Sequence, residues 1–196
     1  DTILSTAVRV DSLKLGTITN SFSYTLGELA DNSGNSGLKL FQDQLLPLPP
    51  IAPVSLPDID IDLGEYLQTA FVTEGFIDMT ITNGFPIDLV NLIYQLKNKI
   101  AGDIILADTF PLISAGQTVS HSKKITNQTV EGNLVLQIIN LESPGSGSSF
   151  VLIDTLDEVT ITYSIHDIKV SSATAKFPQQ NIVNSTDSFP IQMDNG

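Results

Sequence analysis

Apolar and polar residues alternate with a period of two along much of this chain. Within residues 158–177, Val159, Ile161, Tyr163 and Ile165 alternate with Thr160, Thr162 and Ser164. That is the pattern of a strand with one buried face. The phase slips at His166-Asp167, after which Ile168 and Val170 resume the apolar side against Lys169 and Ser171. A slip inside a long strand predicts a β-bulge, with a short turn between two strands as the other reading. Within residues 75–98, Phe76, Asp78, Thr80 and Thr82 alternate with Ile77, Met79 and Ile81. Asn83-Gly84 follows, and a pair that tolerates positive φ predicts a tight hairpin. Val90, Leu92, Tyr94 and Leu96 then read as one strand face, although Leu89, Val90, Ile93 and Leu96 also fit a helical stripe. The turn before them favours the strand.

Further strands are expected at residues 8–15, 17–24, 103–110, 118–124, 132–140 and 150–154. The stretch 132–140 also suits a helix through Leu134, Val135, Ile138 and Ile139. Turn-rich loop tips separate these segments at residues 31–37, 114–116 and 143–149. Residues 45–57 are proline-rich and favour extended structure outside a central ladder. Residues 65–72 read as a short helix or as the start of the next strand. Residues 188–193 read as a last strand, and Phe189-Pro190-Ile191 echoes Phe85-Pro86-Ile87. The expected fold is all-β: an antiparallel β-sandwich of the immunoglobulin or fibronectin kind with an extra N-terminal β element. The expected division is a β segment with a proline-rich connector over 1–57, then the main sandwich over 58–196, truncated before a partner strand.

Composition narrows the function. The chain has 196 residues, 41% of them hydrophobic and only 16% charged, enough apolar material for a core. Its 22 acidic and 9 basic residues give a net charge of −13, a field that repels nucleic acid. No cysteine is present, so disulfides and thiolate chemistry are excluded. No apolar run approaches the roughly 18 residues of a membrane span. The first residue is Asp1 rather than Met, which fits a processed, secreted chain or a trimmed one.

Asp58, Asp60 and Asp62 form the most conspicuous acidic motif and a candidate calcium site, since calcium takes six to eight oxygens. The glycine and glutamate of an EF-hand are out of place: Leu63 stands sixth from Asp58 and Thr69 twelfth. The competing reading is an outward row that protects a sheet edge. His121 precedes Lys123 and Lys124, and His166 stands beside Asp167 at the expected bulge. Neighbours on a strand point to opposite faces, so His166 and Asp167 are not expected to pair. No Gly-x-Ser-x-Gly elbow is present, and no catalytic residues or cofactor are assigned. Asn127 and Asn184 head N-glycosylation tripeptides. A hydrophobic-ligand reading predicts a cavity between sheets lined by Phe76, Leu92, Tyr94 and Ile161.

Residues 75–87, with Ile105 to Leu112 and Ser114 to Thr118, resemble the late-embryogenesis-abundant (WHy) β-sandwich family over roughly residues 75–140. That resemblance implies an immunoglobulin-like sandwich without catalytic residues. The long strand at 158–177 and the Leu-Pro segment are similar to lipid-binding folds of the BPI-like type. The acidic, cysteine-free, Asn/Ser/Thr-rich composition resembles Bacteroidetes envelope proteins, and Asp1-Thr2-Ile3, Asp11-Ser12-Leu13 and Asp154-Thr155-Leu156 resemble their O-glycosylation motif. The functional expectation is a non-catalytic, extracytoplasmic binding or structural module of a cell-surface or envelope protein. Its partner is expected to be a protein, with a lipid or other hydrophobic ligand and a glycan as the alternatives.

Overall fold

The structure, a computed structural model, describes residues 13–64 and 67–175. Thirteen strands are described, and they build two packed antiparallel sheets and a small ribbon. In the first sheet, β1 (Leu13–Leu15) and β2 (Ile18–Thr25) lie along the same edge of β13 (Glu158–Ala175). β13 pairs with β6 (Leu67–Asn83), whose other edge carries β9 (Thr118–Ile125) and β10 (Gln128–Glu131). The second sheet runs from β4 (Ile51–Val54) and β5 (Ile59–Asp62) through β11 (Asn133–Ser143) and β7 (Leu89–Asn98) to β8 (Ile104–Ile113). β3 (Leu45–Pro47) and β12 (Phe150–Leu152) form the separate ribbon.

The expected all-β antiparallel sandwich is therefore what the chain forms, but its strand order is not that of the expected immunoglobulin or fibronectin kind. The chain passes from one sheet to the other after β2, β5, β6, β8, β10 and β11. Two four-position sheets wound in this way have the order of a jelly roll. Residues 13–57 belong to this body rather than to a separate N-terminal element, because β1 and β2 complete the first sheet and β4 an edge of the second. The proline-rich stretch keeps to sheet edges, as the missing proline N–H requires. The expected strand at 188–193 and the truncated end lie outside the described residues, as does residue 184.

The core is the alternation made solid. Ile77, Met79 and Ile81 of β6 and Ile161 of β13 are fully buried and face Leu92, Tyr94 and Leu96 of β7 and Leu136 of β11. Each such side chain contributes about 1.5–3 kcal/mol. Asn91 takes a left-handed φ of 50° and shifts the phase of β7, so Leu89 and Leu92 both point inward and Val90 does not.

Asn83-Gly84 is a corner between sheets and not the expected hairpin, because β6 pairs with β13 and β9 while β7 pairs with β11 and β8. Asn83 is fully buried; its Nδ2 donates to the carbonyls of Ile87 (2.8 Å) and Ile113 (3.0 Å), and its Oδ1 accepts from Phe85 N–H (3.1 Å). Gly84 is required by close approach, since a Cβ there would lie 2.5 Å from the Glu158 carbonyl oxygen. At the opposite end buried Asn98 bonds the carbonyl of Thr129 and the N–H of Glu131.

The sequence expectations contain no helix in the N-terminal part of the chain. Helix α1 (Leu26–Asn32) starts from a capping box, Thr25 Oγ1 accepting from Glu28 N–H while the Glu28 carboxylate accepts from Thr25 N–H. Leu26, Leu29 and Ala30 bury this short helix against the core.

Candidate functional site

The outer face of the first sheet is laid out in rows by the strand register. Ser23, Thr160, Thr82 and Thr118 form one row, and Ser21, Thr162, Thr80 and Ser120 the next. Thr19, Ser164, Asp78 and Ser122 form the third. Asp78 is the single residue without a hydroxyl in these rows. Hydroxyls pair across strands, among them Ser21 with Thr162 (2.9 Å), Thr80 with Ser120 (2.8 Å) and Thr82 with Thr118 (2.9 Å). Such pairs support a sheet by about 0.2–1 kcal/mol each.

The rows end in a shallow dish of about 600 Å³ bordered by Phe76, Asp78, Ser122, His166 and Asp167. The bulge in β13 builds it. Asp167 has φ 52°, and the register with β6 shifts between His166 and Lys169. The bulge was expected; its effect on the pair was not. His166 Nδ1 lies 2.9 Å from the Asp167 carboxylate, because the left-handed residue turns both side chains to one side. The expectation that neighbours on a strand cannot pair fails at this point.

His166 Nε2 lies 3.0 Å from Asp78. Only an imidazolium can donate to both carboxylates. The Asp167 hydrogen bond, opposed by burial and reinforced by Asp78, holds the imidazole above its ordinary pKa. When protonated, His166 donates through both ring nitrogens and has no lone pair free. Phe76 stacks on it at 5.8 Å, and Lys124 stands over the same ring. Beside them Glu74 accepts from Lys169 (2.8 Å) and Lys124 (3.0 Å), and these two bonds pull its carboxyl down to about 2.

His121 belongs to a second cluster, where the edges of β8 and β9 meet. Its Nδ1 is 2.7 Å from Asp108, Lys123 is 2.9 Å from the same carboxylate, and its ring stacks on buried Phe110 at 4.0 Å. Burial raises the Asp108 pKa, but the bonds from Lys123, His121 and the Thr109 backbone outweigh it and leave the group below its ordinary value. Tyr94 pairs in register with Asp108, and its buried hydroxyl has no partner among the described residues. Burial, then the Asp108 charge, pushes its pKa up.

The other expected residues do not assemble as foreseen. Leu92, Tyr94 and Ile161 come together as fully buried core, whereas Phe76 lies on the opposite face of β6, so the four do not line one cavity. The parity of a strand separates Phe76 from Ile77 and Met79. Asp58, Asp60 and Asp62 form the outward row. Asp58 accepts from Gln137, Asp60 pairs with Lys99 at 2.7 Å, and Asp62 accepts from Gly64 N–H. The three carboxylates are thus committed to three different partners and do not converge on one point. Among the described residues no three His, Asp or Glu side chains stand close enough to hold a metal. Thr155, in the Asp154-Thr155-Leu156 tripeptide, spends its hydroxyl on Gln42 (2.7 Å).

No protein-family model and no curated protein matches the chain. Among solved structures, the Israel acute paralysis virus pentamer is 10% identical, covers 84% of this chain and 92% of that chain, with a TM-score of 0.35. The nora virus structure is 12% identical over 95% of this chain and 74% of that chain, with a TM-score of 0.29. A CocE/NonD family hydrolase from Staphylococcus aureus is 7% identical over 83% of this chain and 34% of its own length, with a TM-score of 0.30. The jelly-roll assignment rests on this chain's own strand order.

Proposed function

We propose that this protein is a non-catalytic, extracytoplasmic binding or structural module, a rigid jelly roll whose outer surfaces meet a partner. The observation that carries the reading is the His166 cluster. Its geometry is that of an ion cluster rather than of an acid or base. Its imidazolium is saturated by Asp78 and Asp167. The proposed location draws on the acidic, Asn/Ser/Thr-rich composition and its resemblance to envelope proteins; among the described residues no helix is long and apolar enough to cross a membrane.

The test pairs an activity screen with cell fractionation. On nitrophenyl esters and glycosides the chain is expected to match buffer. A rate above buffer that disappears in His166→Ala would overturn the reading, as would recovery of the native protein with the cytosol.

One observation favours a glycan as ligand. The dish joins the Asp78 carboxylate, the half-buried Phe76 ring and the hydroxyls of Thr80, Ser120 and Ser122. Retardation in gels containing soluble polysaccharide, lost in Asp78→Ala, is the expected result; equal mobility with and without polysaccharide would remove this second reading.

A further inference from the structure

Exposed apolar bulk is concentrated at one end of the sandwich. Of the eleven large hydrophobic residues exposed among the described residues, six fall in two short segments: Leu40, Phe41, Leu45, Phe150, Leu152 and Leu156. Three of them belong to the β3–β12 ribbon, whose register sets Leu45 opposite Leu152 and Pro47 opposite Phe150. All four face water, with Leu45 63% and Phe150 68% exposed, while Leu46 and Val151 turn toward the core. Both sides of this ribbon are thus apolar, although only one is covered.

The outward side chains do not hold the ribbon in place. Asp43 N–H donates to the Ile153 carbonyl (2.8 Å), and Ile153 N–H donates to the Gln44 carbonyl (2.9 Å). The Gln42 side chain ties down Asp154 (3.0 Å) and Thr155 (2.9 Å). The platform is therefore built by backbone and amide bonds. A groove of about 590 Å³, lined by Leu38, Phe41, Leu46, Pro47, Pro49 and Ile153, opens beside it. That is within the roughly 300–1,000 Å³ of binding pockets and large enough to seat an anchoring side chain. Pro47 belongs to both, so ribbon and groove are continuous.

The two segments that build this surface are strongly acidic. Residues 26–47 and 150–158 carry Glu28, Asp31, Asp43, Asp154, Asp157 and Glu158 against a single basic residue, Lys39, which Asp31 already pairs. A second copy of this chain, itself at −13, would set acid against acid. An anionic bilayer would be repelled likewise.

We propose that the ribbon and groove form the docking site for an amphipathic segment of a partner protein, with apolar side chains over Leu45, Phe150 and Leu152 and lysines or arginines against the acidic rim. An apolar centre ringed by opposite charge is the usual anatomy of a specific interface. The proposal goes beyond the non-catalytic reading and does not depend on the hydroxyl face or the His166 dish.

The probe is a designed amphipathic peptide of leucine and lysine, titrated into the whole chain alongside its leucine and glutamate counterpart. The Leu/Lys peptide is expected to bind, to weaken as salt rises, and to lose tenfold or more in affinity to the double variant Leu45→Ser/Phe150→Ser. That variant keeps every charge and removes only exposed side chains, and its melting temperature reports that it is folded. Equal binding to the double variant overturns the proposal, because attraction to net charge alone would explain it. Equal binding of the Leu/Glu peptide shows that the acidic rim selects no basic partner and overturns the proposal. Self-association in sedimentation that the double variant abolishes assigns the surface to a second copy instead. Binding to neutral phosphatidylcholine vesicles in preference to the peptide assigns it to lipid, and either result also overturns the proposal.

Discussion

The body of the sandwich and the ribbon at its end are both β structure in contact with water, and they present opposite chemistry. Along β6 and β13 the side facing the core is apolar, and in the three rows they share with β2 and β9 every outward residue but Asp78 is a serine or threonine, so the hydropathy pattern and the exposure agree there. On the ribbon they disagree, and Leu45, Phe150 and Leu152 stand in water while the segment is held by backbone bonds. Where pattern and exposure agree, a residue is explained by folding. Where they disagree, folding does not explain it and an interface does.

If that division is right, substitutions will sort by region. The largest loss is expected in the body at Asn83→Ala, which strands the Phe85 N–H and the Ile87 and Ile113 carbonyls at the buried corner. Chemical denaturation should report a loss of about 3 kcal/mol, the cost of several unpaired buried groups. A value near zero would mean that the corner is not a fixed part of the body.

The acid and alkaline limbs of a stability profile test the ion clusters. Glu74 is held down to about 2, so its contribution is present above about pH 4.5 and fades as pH falls toward 2, and Asp108, also held below its ordinary value, likewise loses its contribution in acid. His166 is held above its ordinary value, so its contribution is full below about pH 6.5 and is lost as pH rises through the folded value. Melting temperatures should fall on both sides. In Asp78→Asn the alkaline fall should shrink, and a His166 titration followed by NMR should move toward the free value.

Tyr94→Phe is expected to go the other way. It removes a buried hydroxyl that has no partner among the described residues and leaves the ring on Phe110, so a gain of up to about 1 kcal/mol is expected in the same denaturation assay. The ribbon should give the smallest effect. Leu45→Ser and Phe150→Ser should each stay within about 0.5 kcal/mol of the parent, as exposed positions do. A drop of 2 kcal/mol at either would place the ribbon with the body and dissolve the contrast.

Local rules carried the strands well and the connections poorly. Alternation located β6, β8, β9 and β13, and the phase slip located the bulge at His166-Asp167, because both are properties of a few neighbouring residues. Asn83-Gly84 has hairpin chemistry but closes a corner, since which sheet receives the next strand is decided by partners far along the chain. The Thr25-x-x-Glu28 box was present as a helix signal, though the run behind it is only seven residues long. The candidate site was less legible still. Each row of hydroxyls needs four strands in register, and the His166–Asp78 contact joins residues 88 positions apart.

The first sheet also sets the order in which this protein can come into being. Strand β2 finds its neighbour in β13, and Thr19 meets Ser164 across 145 residues of chain. During synthesis β2 must wait, unpaired and with Phe22 uncovered, until nearly the whole of the described chain has left the ribosome. Loop closure on that scale precedes any reward from contact, which makes assembly slow and leaves open strand edges in the meantime. The alternation that gives the finished sandwich its stability is, until β13 arrives, an exposed template for other chains.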